Sequence, residues 1–270
     1  MSNLSQFFGG GGGVGSDAPT DLKLIEVLLV GGGGGGSSVS TPPLSAGGSG
    51  GAGGMVECNN FVVINGIEYV ITIGGGGAVD SPGTESTFTQ GSSSIGIVAS
   101  GGSAGDESGD GNGSAGGNST TSSSYGVSKN TSKFGFNFFN FIFKTIFSMS
   151  SYNGDSSITT RGGGAGRSGS GRTNSITGSP VSYASSNTTS APAPPTNRNG
   201  PANSGTGAAG GYYRASPLLS RSAGTGGPGV CVIRWPTAYP DASSVTGNAA
   251  TPAQPGYYVY RWNGPGTITF

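Results

Sequence analysis

Runs of consecutive glycine restrict what this chain can fold into more than any other feature of its sequence. The stretch VLLVGGGGGGSS, residues 27–38, passes from four apolar residues directly into six glycines. A glycine fixed in a regular element loses more backbone entropy than any other residue, about 0.5–1 kcal/mol relative to alanine. The runs therefore either stay without fixed structure or pack backbone against backbone, at a distance that only a missing Cβ allows, as in three-residue-per-turn collagen and polyproline II helices.

The remaining composition favours a folded chain over a disordered one. With 57 glycines and 16 prolines in 270 residues, the sequence has the composition of low-complexity chains. However, its 12 phenylalanines, 10 tyrosines and 2 tryptophans are enough to build a core. Solvated linkers are poor in such residues.

Short apolar runs bounded by turn residues predict β-strands. Residues 22–30, LKLIEVLLV, become apolar on both faces, which is typical of a buried strand. Residues 61–73, FVVINGIEYVITI, predict a β-hairpin, because Asn65 and Gly66 supply the two positive φ angles of a type I′ turn. The second strand alternates, and its core face carries four apolar residues: Ile67, Tyr69, Ile71 and Ile73.

Further strands are predicted towards the C-terminus and in one short run before it. They are residues 95–99, 230–235, 257–262 and 267–270, and a turn at residues 263–266 (NGPG) joins the last two. Together these patterns predict an all-β fold. In it, short strands and hairpins combine with stacked polyglycine II-type helices and long irregular loops rich in glycine and serine.

Changes of composition divide the chain into four parts. Residues 1–20 form a glycine-rich N-terminal arm, which is a candidate anchor, and residues 21–105 form a core of β-hairpin and polyglycine. Residues 106–223 form a low-complexity insert of glycine, serine and asparagine. Residues 224–270 hold the C-terminal strands, which are expected to close the core.

An aromatic segment, FGFNFFNFIFKTIFSM at residues 134–149, interrupts this insert. Its spacing fits both a strand and a helix, so periodicity does not decide between them. A buried core or a subunit interface is the plainer interpretation, and a surface that contacts a receptor or a partner is the alternative. The candidate contact residues are Tyr125, Phe134, Phe136, Phe138, Phe143, Phe147 and Tyr152.

Charge is separated along the chain, although the net charge is zero. Residues 1–110 hold ten acids and one base, and residues 111–240 hold ten bases and one acid, which makes −9 against +9. This separation predicts that the halves attract each other, that identical subunits meet through opposite patches, or that the second half faces an anionic surface. Scattered surface charge without a partner is the plainer interpretation.

The residue inventory argues against an enzyme. The chain has no histidine, which excludes Ser-His-Asp and Cys-His catalysis and HExxH zinc sites. Cys58 and Cys231 lie far apart in apolar runs, which predicts buried free thiols rather than a disulfide or a metal site. No cofactor and no metal is expected. No membrane insertion is expected either, because no apolar run reaches the ~18 residues of a spanning helix.

Three glycine-containing motifs resemble ligand sites but lack the context that such sites need. Residues 31–36 satisfy GxGxxG, but the prolines that follow break the helix that a dinucleotide site requires. Residues 106–113, DESGDGNG, have the spacing of a calcium loop, but Gly117 stands where the bidentate glutamate belongs. Residues 166–173, GRSGSGRT, leave RNA or phosphate binding as an alternative, although no nucleic acid is expected for a neutral chain.

Four pieces of the sequence follow one another in an order that carries a family resemblance. They are VLLVGGGGGG at residues 27–36, GGAGGMVECNNFVVINGIEYVITIGGGG at residues 50–77, GTGGPGVCVIRWP at residues 224–236 and YVYRWNGPGTITF at residues 258–270. This order is similar to the glycine-rich tail and receptor-binding proteins of tailed bacteriophages. In those proteins a strand enters a polyglycine block, a hairpin and further glycine blocks follow, and a V-I-R-aromatic strand closes the core.

The resemblance implies a non-enzymatic virion structural protein, made in the host cytoplasm and placed in the tail, at a tail fibre or tail tip. The implied role is host attachment or fibre assembly. The implied partners are other virion proteins, further copies of the chain, for instance in a trimer, and a bacterial surface receptor. In the T-even-type adhesins with similar blocks, polyglycine II helices stack into a slab whose tip loops contact the host. A head decoration or spike protein, an Arg-Gly nucleic-acid binder and a carboxylate-based glycan depolymerase are the alternatives.

Overall fold

The computed structural model describes residues 22–39, 44–91, 96–105, 149–152, 171–185, 198–215 and 218–270. This part of the chain is all-β and has no helix, which confirms the predicted fold class. Its strands are β1 (Leu22–Val30), β2 (Leu44–Ala46), β3 (Met55–Ile64), β4 (Glu68–Thr72), β5 (Ser86–Gln90), β6 (Gly96–Ala99), β7 (Met149–Tyr152), β8 (Arg172–Asn174), β9 (Val181–Tyr183), β10 (Tyr212–Ala215), β11 (Leu218–Arg221), β12 (Val230–Pro236), β13 (Ser244–Ala250) and β14 (Tyr257–Thr269).

Nine strands form one large sheet in the order β6-β5-β4-β14-β12-β1-β3-β7, with β13 paired to β14. Neighbouring strands are antiparallel, and β1 lies between β12 and β3, where Leu28 is opposite Val232 on one side and Glu57 on the other. The sheet curls, so that β1 also contacts β5 and β6. Two small sheets, β11-β10-β2 and β8-β9, complete the described fold.

Both faces of β1 are buried in its second half, as its apolar pattern predicts. Leu29 faces the main core, whereas Leu28 faces a second apolar cluster on the other side of the sheet. The second cluster is covered by the β8-β9 hairpin through Ile176 and Tyr183. The main core is dominated by aromatic side chains in edge-on and stacked contacts: Phe61, Tyr69, Phe88, Trp235, Trp262 and Phe270.

The prediction of a hairpin at residues 61–73 is wrong. The chain does turn between the two strands, and the four predicted core residues do pack against the core. Of the two central residues of the turn, Gly66 has a positive φ, 76°, and Asn65 does not, whereas a type I′ turn needs a positive φ at both. The Ile64 N–H donates to the Tyr69 hydroxyl at 3.2 Å instead of to a strand partner. In the large sheet the neighbours of β3 are β1 and β7, and those of β4 are β14 and β5, so β3 and β4 are not paired with each other. The two strands face each other across the core, where the rings of Phe61 and Tyr69 meet at 6.3 Å.

The turn predicted at residues 263–266 is also wrong. β14 runs through these residues as a single strand of 13 residues. Its first part pairs with β12 up to Trp262, and its last part pairs with β4 from Gly266 onward. Because Pro265 has no N–H to donate, the sequence NGPG marks the place where the strand changes partner rather than direction.

Two ion pairs of the described residues connect the oppositely charged halves of the chain. Arg234 contacts Glu26 at 2.8 Å, and Arg172 contacts Glu57 at 3.4 Å. In each pair the acid comes from residues 1–110 and the base from residues 111–240. These contacts support the interpretation that the halves attract each other.

Candidate functional site: glycine block and aromatic groove

The glycine runs form a hydrogen-bonded block around residues 31–36, which we call the central segment. Each of its amides donates to a neighbouring segment, and the identity of the neighbour repeats every three residues. The first and fourth glycines donate to residues 54 and 51, the second and fifth to residues 84 and 81, and the third and sixth to residues 227 and 224. The N···O distances lie between 2.8 and 3.1 Å. The register shows that these three segments run antiparallel to the central one.

The carbonyls of the central segment accept hydrogen bonds from three further segments. Residues 102 and 105 donate to residues 32 and 35, residues 77 and 80 donate to residues 33 and 36, and residue 208 donates to residue 34, at 2.8 to 3.0 Å. In the first two segments the paired numbers rise together, and in the third a Cβ at Gly33 would meet Thr206 and one at Gly36 would meet Ala209. All three therefore run parallel to the central segment, which has six neighbours. A period of three residues is the one that a polyglycine II-type helix produces. The hydrogen-bond pattern is observed, and the helix type stays a prediction.

Close packing explains why the six central positions are glycine. All six are buried, and a Cβ added at any of them would overlap a backbone carbonyl of a parallel neighbour. Backbone cannot move aside as a flexible side chain can, so alanine is already too large. The surface of the block is different, because Gly75 is exposed and a Cβ there would meet only the Thr84 hydroxyl, at 3.9 Å.

The block has two unlike ends. At the first end its segments continue directly into strands β1, β3, β4, β5, β6 and β12 of the large sheet. At the opposite end, which we call the far end, they are joined by a turn at residues 78–81 and by the small sheet β11-β10-β2. Gly105, the last described residue before residues 106–148, also lies there and donates to Gly35. The block thus separates the large sheet from the far end.

Charged side chains at the far end are tied to the backbone of the block. The guanidinium of Arg198 donates to the Gly210 carbonyl, and burial, followed by the charge of Arg221, lowers the pKa of Arg198. Asp80 accepts a hydrogen bond from the Ser38 N–H at 2.7 Å. Asp80 has a φ of 61°, a conformation that aspartate tolerates better than most residues. The Asp80 contact ties the short turn at residues 78–81 to the end of the central segment.

A groove of about 490 Å³, which we call the aromatic groove, lies at the end of the β12-β14 pair that points away from the block. It opens because the β13-β14 ladder is interrupted. Ala250 is paired with Arg261, and pairing returns only at a bridge between Gln254 and Tyr257. Pro252 lies in the gap and has no N–H with which to continue the ladder.

Tyrosines and one carboxylate line the aromatic groove. The rings of Tyr258 and Tyr260 pack against Trp235, with centroids 5.7 and 5.5 Å away. The Tyr260 hydroxyl donates to Asp241 Oδ1 at 3.0 Å. Burial, together with the hydrogen bond to Asp241 and its negative charge, raises the pKa of Tyr260 to about 12. The hydroxyl therefore remains a donor at neutral pH.

A buried lysine lies behind this wall. Lys23 is 2% exposed, and its Nζ donates to the Pro240 carbonyl at 2.9 Å. The same Nζ lies 5.2 Å from the ring centroid of Trp235 and 5.1 Å from that of Phe270, which are cation–π distances. Burial lowers the pKa of Lys23, and the negative charge of Asp241 opposes this shift. The charges of Lys23 and Asp241 therefore interact.

Comparison with known families fits the glycine block. Residues 11–236 match the model of the glycine-rich domain family, a range that includes all the segments of the block. The chain belongs to the glycine-rich domain family. No curated protein and no solved structure matches it. Strands β13 and β14, and with them most of the aromatic groove, lie outside the part that matches the glycine-rich domain.

Among the described residues, those that line the aromatic groove differ from the contact residues predicted from sequence. Six of them lie in residues 106–148, outside the described residues: Tyr125, Phe134, Phe136, Phe138, Phe143 and Phe147. Tyr152 is on β7, where its backbone is paired with Met55 and its side chain is not described. The groove tyrosines were predicted only as part of a strand, YYVYRW. The sequence signal for the groove is the pair of prolines just before that strand, because a proline interrupts the hydrogen bonds between neighbouring strands.

Chemically reactive groups are few in the described residues. Cys58 and Cys231 are buried free thiols, as predicted. Burial raises the pKa of Cys58 to about 11 and also raises the pKa of Cys231. Within the described ranges, no three cysteine or carboxylate side chains lie close enough together to share a metal ion. Those ranges also contain no helix with the length and apolarity needed to cross a membrane.

Proposed function

We propose that the chain is a non-enzymatic structural protein of a tailed-bacteriophage particle, located at a tail fibre or tail tip, where it takes part in host attachment or fibre assembly. One observation carries the proposal. The six amides of the central segment donate to three segments in rotation, so main-chain bonds hold the block at every residue. Such a block is a stiff spacer, which is what a fibre component needs.

The arrangement of the two ends agrees with a role in display. A rigid scaffold that positions variable connections is a common way to build a recognition surface. Here the large sheet would face the rest of the particle, and the far end, with the β10-β11 hairpin and the turn at residues 78–81, would face outward. In this role the chain would contact other virion proteins, further copies of itself and a bacterial surface receptor.

The phage assignment rests on the resemblance of residues 27–36, 50–77, 224–236 and 258–270 to tail proteins. Three of these pieces supply segments of the block: residues 31–36 and parts of residues 50–77 and 224–236. The fourth piece supplies most of β14. Three of the four pieces that carry the resemblance therefore contribute to the hydrogen-bonded block.

Immunogold electron microscopy tests the proposal. An antibody raised against the full chain should label tails of phage particles from a culture that produces the protein, whereas pre-immune serum should not. Labelling at the head would favour the decoration or spike protein. An absence of label, together with an absence of the chain from purified particles by mass spectrometry, would overturn the proposal.

A further inference from the structure

We propose that the aromatic groove is a binding site for an uncharged sugar. The site lies at the opposite end of the molecule from the far end, and most of it lies outside the part that matches the glycine-rich domain. The inference therefore goes beyond the proposed function, and it can be tested on the isolated chain whether or not the chain belongs to a virion.

The shape of the groove suits a small ligand. Its volume of about 490 Å³ falls within the usual range for ligand sites, roughly 300–1,000 Å³. Because Pro252 and Pro255 cannot donate to the ladder, the backbone beside them does not close over the tyrosines. The opening is therefore built into the sequence.

The tyrosine wall is held rigid from behind. Trp235 is fully buried and supports the rings of both Tyr258 and Tyr260. Tyr257 lies on the opposite face of β14, against the second apolar cluster, so Tyr258 and Tyr260 form the wall. Aromatic faces carry a negative quadrupole, which attracts the weakly positive C–H groups on one face of a sugar ring. Rings that are already immobile lose little entropy when a ligand binds.

The carboxylate of Asp241 supplies an oriented acceptor at the edge of this wall. Its Oδ1 accepts hydrogen bonds from the Ala242 N–H at 2.7 Å and from the Tyr260 hydroxyl at 3.0 Å. Among the described residues, none donates a hydrogen bond to Oδ2. A carboxylate oxygen of this kind accepts hydrogen bonds from sugar hydroxyls, and bonds to a charged acceptor are stronger than those between neutral groups.

Charge favours an uncharged ligand over an ionic one. None of the residues that line the groove is a lysine or arginine, and Asp241 repels anions. A cationic ligand would be repelled by Lys23, whose buried amine lies behind Trp235. Aromatic faces, a carboxylate acceptor and a buried cation behind the wall therefore match a polyol better than an ammonium group or a phosphate.

Saturation-transfer NMR on the full chain tests the inference. The probes are the methyl glycosides of glucose, galactose and N-acetylglucosamine, with tetramethylammonium as the cationic probe. We expect transfer to at least one glycoside and none to tetramethylammonium. Asp241→Asn should weaken the binding by about tenfold, because it removes a charged acceptor. Tyr258→Leu should abolish transfer to the sugar ring, and Glu85→Gln, which changes an exposed carboxylate outside the groove, should leave binding unchanged.

Thermal unfolding of each variant shows whether the fold is intact. Tyr260→Phe keeps the ring and removes only the hydroxyl that donates to Asp241. If Tyr258→Leu does not fold, this variant tests whether the groove is the binding site. Four results would overturn the inference: no transfer to any glycoside, equal transfer in the wild-type chain and in Asp241→Asn, a Glu85→Gln effect as large as that of Asp241→Asn, or binding of tetramethylammonium in place of the sugars.

Discussion

The large sheet and the glycine block immobilise the chain in opposite ways. In the sheet, side chains fill the space that the curled strands enclose, and large residues such as Trp235 and Phe88 are fully buried there. The central segment of the block has no side chains to pack, and it is held by hydrogen bonds to three antiparallel and three parallel neighbours. A core can therefore be made of side chains or of main chain alone.

The comparison also shows how each region should respond to change. A sheet core loses stability in proportion to the apolar volume removed, since its contacts are many and weak. In the block, each residue of the central segment has a fixed set of neighbours and no free volume. A single added side chain should therefore disturb several segments together.

The largest effect is expected from Gly34→Val. The new side chain would overlap the Ser103 carbonyl, and moving that segment away would break main-chain bonds such as the one that the Gly51 N–H donates to Ser103. Buried backbone groups that lose a partner cost about 1–3 kcal/mol each, in addition to overpacking, so we expect a loss of about 5 kcal/mol or more. Urea unfolding measures it.

Gly75→Ala is the matched control in the same block. Its position is exposed and has room for a Cβ, so we expect the free energy of unfolding to change by no more than about 0.5 kcal/mol. Equal losses in the two variants would show that the block does not distinguish interior from surface glycines.

In the sheet, Trp235→Ala should cost about 3–5 kcal/mol, the usual range for removing a buried tryptophan. The indole packs against Tyr258, Tyr260 and Phe270, and its Nε1 donates to the Pro240 carbonyl at 3.1 Å. Urea unfolding should show the loss. Tyr239→Ala, at a position 38% exposed, should change the free energy of unfolding by less than about 0.5 kcal/mol.

A smaller and pH-dependent effect is expected from Tyr260→Phe. The pKa of Tyr260 is raised to about 12, so its protonated form stabilises the fold below its ordinary pKa of 10.0, and this stability is lost as the pH rises through 12. The variant should lose about 1 kcal/mol at neutral pH, the typical value of one hydrogen bond. Its stability should then fall less steeply than that of the wild type in alkaline urea titrations. Identical slopes would contradict this role for the hydroxyl.

The smallest change is expected at the two thiols, which should not react with an alkylating reagent in the folded chain. Cys58 and Cys231 are buried on strands that flank β1, and burial raises the pKa of both, so the thiolate is scarce and inaccessible. Iodoacetamide should modify neither cysteine in the folded chain and both in urea. Modification of the folded chain at neutral pH would mean that the sheet opens readily.

Sequence patterns predicted the strands whose burial is uniform and missed the features that depend on distant partners. Residues 22–30 became β1 with the predicted limits, because an unbroken apolar run allows few other structures. The pairing of β3 and β4 was predicted wrongly, since Asn65-Gly66 is a hairpin signal only when the strands on either side lie edge to edge. Here the Gly66 N–H instead donates to the carbonyl of Phe270, 204 residues away in the sequence.

The block and the groove were hidden from sequence for the same reason. Residues 205–211 join the block from within the segment predicted to be an insert, because glycine and alanine look alike in a loop and in a close-packed core. β13, SVTGNAA, lacks the apolar alternation of a strand and forms by pairing with β14. Since the groove depends on where that pairing stops, its position could not be read from local composition.

Native-state hydrogen exchange at the amides of residues 31–36 tests the main-chain core most directly. We predict that these six amides exchange as slowly as those of Leu29 and Val232 in the sheet, because both regions should open only when the whole fold opens. Exchange of the six glycine amides at the rate of an unstructured peptide, while the sheet amides stay protected, would contradict this prediction.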